Sequence, residues 1–260
     1  MNLRRLLTIS FALGTMTSAL PARVSLAPLF SDRLVLQRDK PVPVWGHASP
    51  GETITVKFGA QTVGATATAD GRWIVYLEPL LTSSEPAELV VTGKNTVTVR
   101  DVLVGEVWLA SGQSNMEWPL SLARDASREI AAADFPTIRQ LKIERTVATA
   151  PADTVKTSGW VPASPETAGD FSAVGYFFAR HLSRKLGGVP VGIINSSWGG
   201  TTIEAWMSDA ARRSTSIASV LDARWQQARS EWPPERVARY PTDMEAWPQA
   251  AAAAPATPPP

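Results

Sequence analysis

The feature that most constrains this chain is a change of hydrophobic period near residue 102. Upstream, from Val42 to Val104, apolar and polar residues alternate in short runs: Thr53-Ile54-Thr55-Val56-Lys57-Phe58 alternates strictly, and Trp73, Val75 and Leu77 share one face. Such a period buries one side of a strand and leaves the other in water. Asp70-Gly71 reads as a hairpin turn and Lys94-Asn95 as a second turn. Short strands at regular spacing with no helix between them predict a small antiparallel β-sandwich domain over residues 24–104. Downstream, Val102 to Leu109 is an almost continuous apolar run, as required of a strand covered on both faces in a parallel sheet. A helical stretch near residues 121–133, a strand over 138–143 and a Pro-rich polar loop through Pro165 follow. Ser172 then caps a helix with Val174, Phe177, Phe178, Leu182 and Leu186 on one side, closed by Gly187-Gly188 before the apolar run Val189 to Ile194. Strand alternating with helix predicts an α/β layer domain over residues 105–240.

The two ends differ from the body. Arg4 and Arg5, the apolar stretch Leu6 to Leu13 and small residues up to Ala22 read as a signal peptide over residues 1–22, which places the mature protein in the periplasm or outside the cell. The apolar stretch is too short to span a bilayer, and no later window reaches that length. Residues 241–260 are dominated by Ala and Pro and read as a linker or ragged end. Lys and Arg total 25 against 24 Asp and Glu, a balance that argues against electrostatically driven nucleic-acid binding. With no Cys and only His47 and His181, thiolate chemistry, disulfides and the common zinc sites are excluded; neither a metal nor a cofactor is implied.

Both long apolar runs end in loops rich in Gly and Ser, and ligands of α/β sheets bind at the carboxyl ends of strands. In Ser111-Gly112-Gln113-Ser114-Asn115 the Ser114 hydroxyl can project from a tight turn, with Gln113 and Asn115 as supporting neighbours. The pattern departs from the Gly-x-Ser-x-Gly elbow, since position 116 is Met, and Ser114 reads locally either as a nucleophile or as an ordinary capping serine. In Trp198-Gly199-Gly200-Thr201 the paired glycines let backbone approach a ligand, and their N–H groups can stabilise an oxyanion; a plain strand-to-helix turn is the alternative. Trp198 and Trp206 flank this loop as possible substrate contacts, whereas Trp73, Trp108 and Trp160 read as core. Glu117 and Asp125 lie close to Ser114 in sequence, but spacing alone does not make them an acid pair.

The segment Val104-Gly105-Glu106-Val107-Trp108-Leu109-Ala110-Ser111-Gly112-Gln113-Ser114-Asn115-Met116-Glu117 resembles the nucleophile block of the sialate O-acetylesterase family, a branch of the SGNH hydrolases that is also similar to some acetylxylan esterases. Ile193-Ile194-Asn195-Ser196-Ser197-Trp198-Gly199-Gly200-Thr201-Thr202-Ile203-Glu204-Ala205-Trp206 resembles its second block. Leu29-Phe30-Ser31-Asp32, Val35-Leu36-Gln37-Arg38 and Pro43-Val44-Trp45-Gly46 are similar to its N-terminal β domain, so the likeness runs over about residues 28–250. The resemblance implies a flavodoxin-like α/β/α layer domain behind the sandwich. It also implies an exported carbohydrate O-acetylesterase with an O-acetylated sugar as substrate, sialic acid first and acetylated xylan second. Ser114 would be the nucleophile, with the N–H groups of Ser114, Gly199 and Gly200 as oxyanion hole.

Two further family blocks, one with Gln-Gly-Glu and one with an Asp-x-x-His or Asp-x-His pattern that supplies base and carboxylate, are absent from these 260 residues. His47 sits in a turn of the β domain and His181 in mid-helix beside Arg180; both read better as ordinary histidines than as the base. The layer domain is therefore expected to be incomplete, with an open sheet edge. The alternative reading is a catalytically incomplete fragment or a carbohydrate-binding module.

Overall fold

A computed structural model describes residues 23–147 and 152–253; the expected signal peptide lies outside the described residues. Seven strands come first: β1 (Ser25–Leu26), β2 (Val35–Gln37), β3 (Val42–His47), β4 (Thr53–Phe58), β5 (Gln61–Thr66), β6 (Arg72–Leu77) and β7 (Ser83–Thr92). The 17-residue β8 (Thr96–Gly112) follows, then α1 (Ser114–Glu117), α2 (Ala126–Ala131), β9 (Phe135–Ile143), β10 (Thr157–Ala163), α3 (Ala173–Lys185) and β11 (Val191–Ser197). Last come α4 (Asp209–Arg213), α5 (Ala218–Glu231) and α6 (Pro234–Ala253). The backbone divides into two compact units at Thr201/Thr202. No helix among the described residues is long and apolar enough to cross a membrane.

The first unit is mixed α/β with a large central sheet. β1, β3 and β6 form a three-stranded antiparallel sheet, and the larger sheet runs β10-β9-β11-β8-β7-β4-β5, with β2 against β8. Alternation works as the sequence requires: Ile54, Val56 and Phe58 on β4 and Trp73, Val75 and Leu77 on β6 are all buried in one apolar cluster that draws on both sheets. The turn at Asp70-Gly71 is real, with the Gly71 N–H donating to the Thr68 carbonyl, but it is not a hairpin: it carries the chain from β5 in one sheet to β6 in the other.

β8 belongs to both halves of the larger sheet. Its first part pairs antiparallel with β7, from Thr92↔Thr96 to Ser83↔Val104, and its last part pairs parallel with β11, from Val191↔Glu106 to Ser197↔Gly112. The domain boundary expected at residue 104 thus falls inside one strand. A register shift against β7 marks a bulge near Asp101, whose φ is +55°. The buried guanidinium of Arg139 on β9 holds that bulge, donating to the Asp101 carbonyl and, at 2.8 Å, to its carboxylate.

Other expectations need correction. Val102 to Leu109 is buried only through Gly105: Trp108 is 46% and Leu109 67% exposed, because no described strand pairs with residues 106–112 opposite β11. Trp73 and Trp160 are core, but Trp108 is not; it meets Phe178 edge-on at 5.2 Å. The helix near residues 121–133 splits into a 3-10 turn, Leu120–Leu122, and α2, with Asp125 at φ +58° between them. The polar loop before Pro165 contains β10, antiparallel to β9; its Pro162 is tolerated because β10 is the edge strand. In α3, capped by Ser172 Oγ accepting from the Gly175 N–H at 3.1 Å, the buried residues are Ala173, Gly175, Tyr176, Ala179 and Ser183; Val174, Phe178 and Leu186 are exposed.

In the second unit, Ser208 caps α4 through the Ala211 N–H at 3.1 Å, and Arg212 bridges Asp209 and Asp222. Leu221 is its buried apolar residue among those described. The stretch expected as linker from residue 241 continues α6 as far as Ala253, in keeping with the high helix propensity of alanine.

Candidate active site

Parallel pairing puts the carboxyl ends of β8 and β11 side by side, so that the two Gly- and Ser-rich loops leave the sheet at the same edge. The first turns tightly: Gln113 caps α1, its Oε1 accepting from the Ser114 N–H at 3.2 Å and from the Ser114 hydroxyl at 2.8 Å. Ser114 and Asn115 are exposed. The second loop doubles back onto the first. The Trp198 N–H donates to the Gly112 carbonyl at 2.9 Å, and a Cβ placed on Gly199 would stand 3.5 Å from the Ser114 Cβ. A side chain at position 199 would therefore touch Ser114.

Glu117, on the last residue of α1, joins the loops. Its Oε2 accepts from the Gly199 N–H at 2.8 Å and its Oε1 from Arg145, whose guanidinium lies 5.8 Å from the Trp198 ring centroid. Burial pushes the Glu117 carboxyl up, but the hydrogen bonds from Arg145 and Gly199, with the charges of Arg145 and Lys142, outweigh it and hold the carboxyl below its ordinary value. Glu117 therefore stays ionised at neutral pH. The Gly199 N–H, expected as an oxyanion donor, is already committed to this carboxylate. Gly200, exposed and at φ +78°, makes no hydrogen bond through its N–H among the described residues.

His47 lies on β3 and His181 is exposed on α3, and the Ser114 hydroxyl donates to Gln113 rather than to an imidazole. Trp206 closes the 3-10 turn Ile203–Trp206 of the second unit. No group of three or more His, Cys, Asp or Glu able to hold a metal occurs among the described residues. Sequence reasoning missed the roles of Glu117 and Arg145. Their only signal was the nearness of Glu117 to Ser114, since the bond to Gly199 spans 82 positions.

Residues 104–250 match the family model described as carbohydrate esterase, sialic acid-specific acetylesterase. The chain is 32% identical to the sialate O-acetylesterase of Rattus norvegicus over 239 residues, covering 81% of this chain and 44% of that protein. It is 32% identical to the human sialate O-acetylesterase over 211 residues, covering 74% and 40% respectively. A solved carbohydrate acetylesterase from Xanthomonas citri is similar at 46% identity and a TM-score of 0.69, over 72% of this chain and 42% of that one. The chain thus spans less than half the length of these relatives. On the family match, which takes in both loops of the site, the chain belongs to the sialic acid-specific acetylesterase family of carbohydrate esterases.

Proposed function

We propose that this chain carries the nucleophile half of a serine-dependent carbohydrate O-acetylesterase, exported through its N-terminal segment and acting on O-acetylated sialic acid or, second, acetylated xylan. Residues 24–104 are read as a small sandwich and the layer beyond as SGNH-type. The observation that carries the reading is the meeting of the Ser114 turn and the Gly199-Gly200 loop at one end of the parallel β8–β11 pair. Ser114 Oγ attacks the acetyl carbonyl while the N–H groups of Ser114 and Gly200 face the developing oxyanion; the ester C–O bond then breaks, the sugar oxygen leaving as a hydroxyl with the proton given up by Ser114, and water cleaves the acetyl-enzyme to acetate, restoring the Ser114 hydroxyl. For Ser114 this requires Gln113, an exposed side chain, to swing aside.

Without an imidazole beside it a serine hydroxyl is a weak nucleophile, and loss of one triad member can cost about 10⁴–10⁶ in rate. Low, Ser114-dependent turnover is therefore expected. The test is acetate release from 4-nitrophenyl acetate and from O-acetylated sialic acid, with mass spectrometry of the Ser114 peptide for an acetyl adduct. Ser114→Ala should abolish both signals. Equal release by that variant would overturn the reading, and saturable sugar binding with no acetate release would favour the binding-module alternative.

A further inference from the structure

Three consecutive tethers hold the loop after β11. The Trp198 N–H is bonded to Gly112, the Trp198 ring lies against Arg145, and the Gly199 N–H is bonded to Glu117. The last is charge-assisted and short, and an N–H directed into a carboxylate cannot also serve an oxyanion. At position 199 a Cβ would stand 2.7 Å from Glu117 Oε2, so any larger residue would have to push that carboxylate aside. Gly200, one residue on, has its N–H unpartnered among the described residues.

We infer that Glu117 is the positioning residue of the site: its carboxylate bolts the loop after β11 to the helix bearing Ser114 and, by occupying the Gly199 N–H, leaves Gly200 as the donor that this loop offers to the oxyanion. The inference rests on the proposed role of Ser114. A bare carboxylate next to a developing negative charge would raise the barrier, so the bolt needs a counter-charge. Arg145 supplies it by direct pairing, and Lys142 adds to it. The groups around the carboxylate wall a hollow of about 160 Å³ from β9, the segment after it, β10 and β11: Lys142, Glu144, Arg145, Ser158 and Ser197. Of these Glu144 is the one acidic side chain.

The test is heteronuclear NMR of the whole chain, read at the Gly199 amide, together with acetate release. The amide proton should titrate with a midpoint below the ordinary Glu value of about 4.3. Glu117→Gln should abolish the titration but keep the amide protected from exchange, because the amide oxygen still accepts. Glu117→Ala should speed exchange of that amide at least about tenfold and lower Ser114-dependent acetate release, with Glu117→Gln restoring most of it. Arg145→Ala should raise the midpoint, and it carries the test with Glu117→Gln if Glu117→Ala does not fold. A Gly199 amide indifferent to pH from 7 down to the onset of acid unfolding in both wild type and Arg145→Ala, or acetate release unchanged in a folded Glu117→Ala, would overturn the inference. Because the amide readout needs no esterase chemistry, failure of the bolt and failure of the proposed function are distinguishable.

Discussion

The two glycines of the second loop are required for different reasons, and substitution separates them. At Gly200 an added Cβ meets nothing within 4 Å, but φ is +78°, so Gly200→Ala is expected to cost about 1–2 kcal/mol from backbone strain alone, wherever it is placed in a mutant series. At Gly199 the cost comes from Glu117 Oε2 at 2.7 Å. Gly199→Ala should therefore lose most of its effect in a Glu117→Ala background, whereas Gly200→Ala should not. Urea unfolding of wild type, the three single variants and the two doubles measures the coupling, and strict additivity at Gly199 would contradict the contact. The sign of the pH effect follows from the lowered Glu117 carboxyl. Its stabilising contribution is full above the ordinary carboxyl value of about 4.3 and is lost as pH falls through the lower folded value. Acid melts of wild type and Glu117→Gln should accordingly converge at low pH and diverge towards neutrality.

Elements were legible in the sequence where burial alone decided them. The alternating strands, the Ser172 cap and the two apolar runs follow from period and capping chemistry, and parallel pairing then brings their loops together. What stayed hidden depends on neighbours. The buried face of α3 is built on Ala173, Gly175 and Ala179, small residues that let the helix approach β11, while its larger Val174 and Phe178 are half-exposed; hydrophobicity ranks those residues in the reverse order. β10 was masked by Pro162, which only an edge position tolerates. The bulge in β8 was unreadable because its support, Arg139, lies 38 residues away. Arg139→Ala should cost about 2–3 kcal/mol by stranding the Asp101 carbonyl and carboxylate that it serves. Asp101→Gly, which relieves the positive φ, should cost less; thermal unfolding of both variants ranks them, and the opposite order would mean that Arg139 does not support the bulge.

For the whole molecule, the class of fold and the position of the candidate site were legible, whereas the link between the loops was not, since nothing local ties Glu117 to Gly199. Beyond Val107, whose N–H is taken by Gln37 Oε1, no described strand covers the margin of β8 away from β11, and with Trp108 and Leu109 exposed and Val174 and Phe178 half-exposed on α3 it offers both strand edge and apolar surface. Concentration-dependent self-association is expected in sedimentation velocity, weakened by Leu109→Lys; a wild-type monomer at every concentration would contradict it. β8 itself has a consequence for how the chain comes apart. One uninterrupted strand ends the antiparallel ladder and begins the parallel one, so disorder in one half of the sheet is passed directly to the other. Residues 23–201 should lose β circular dichroism and the fluorescence of buried Trp73 and Trp160 in a single cooperative step, as a zip shared by two garments opens both at once.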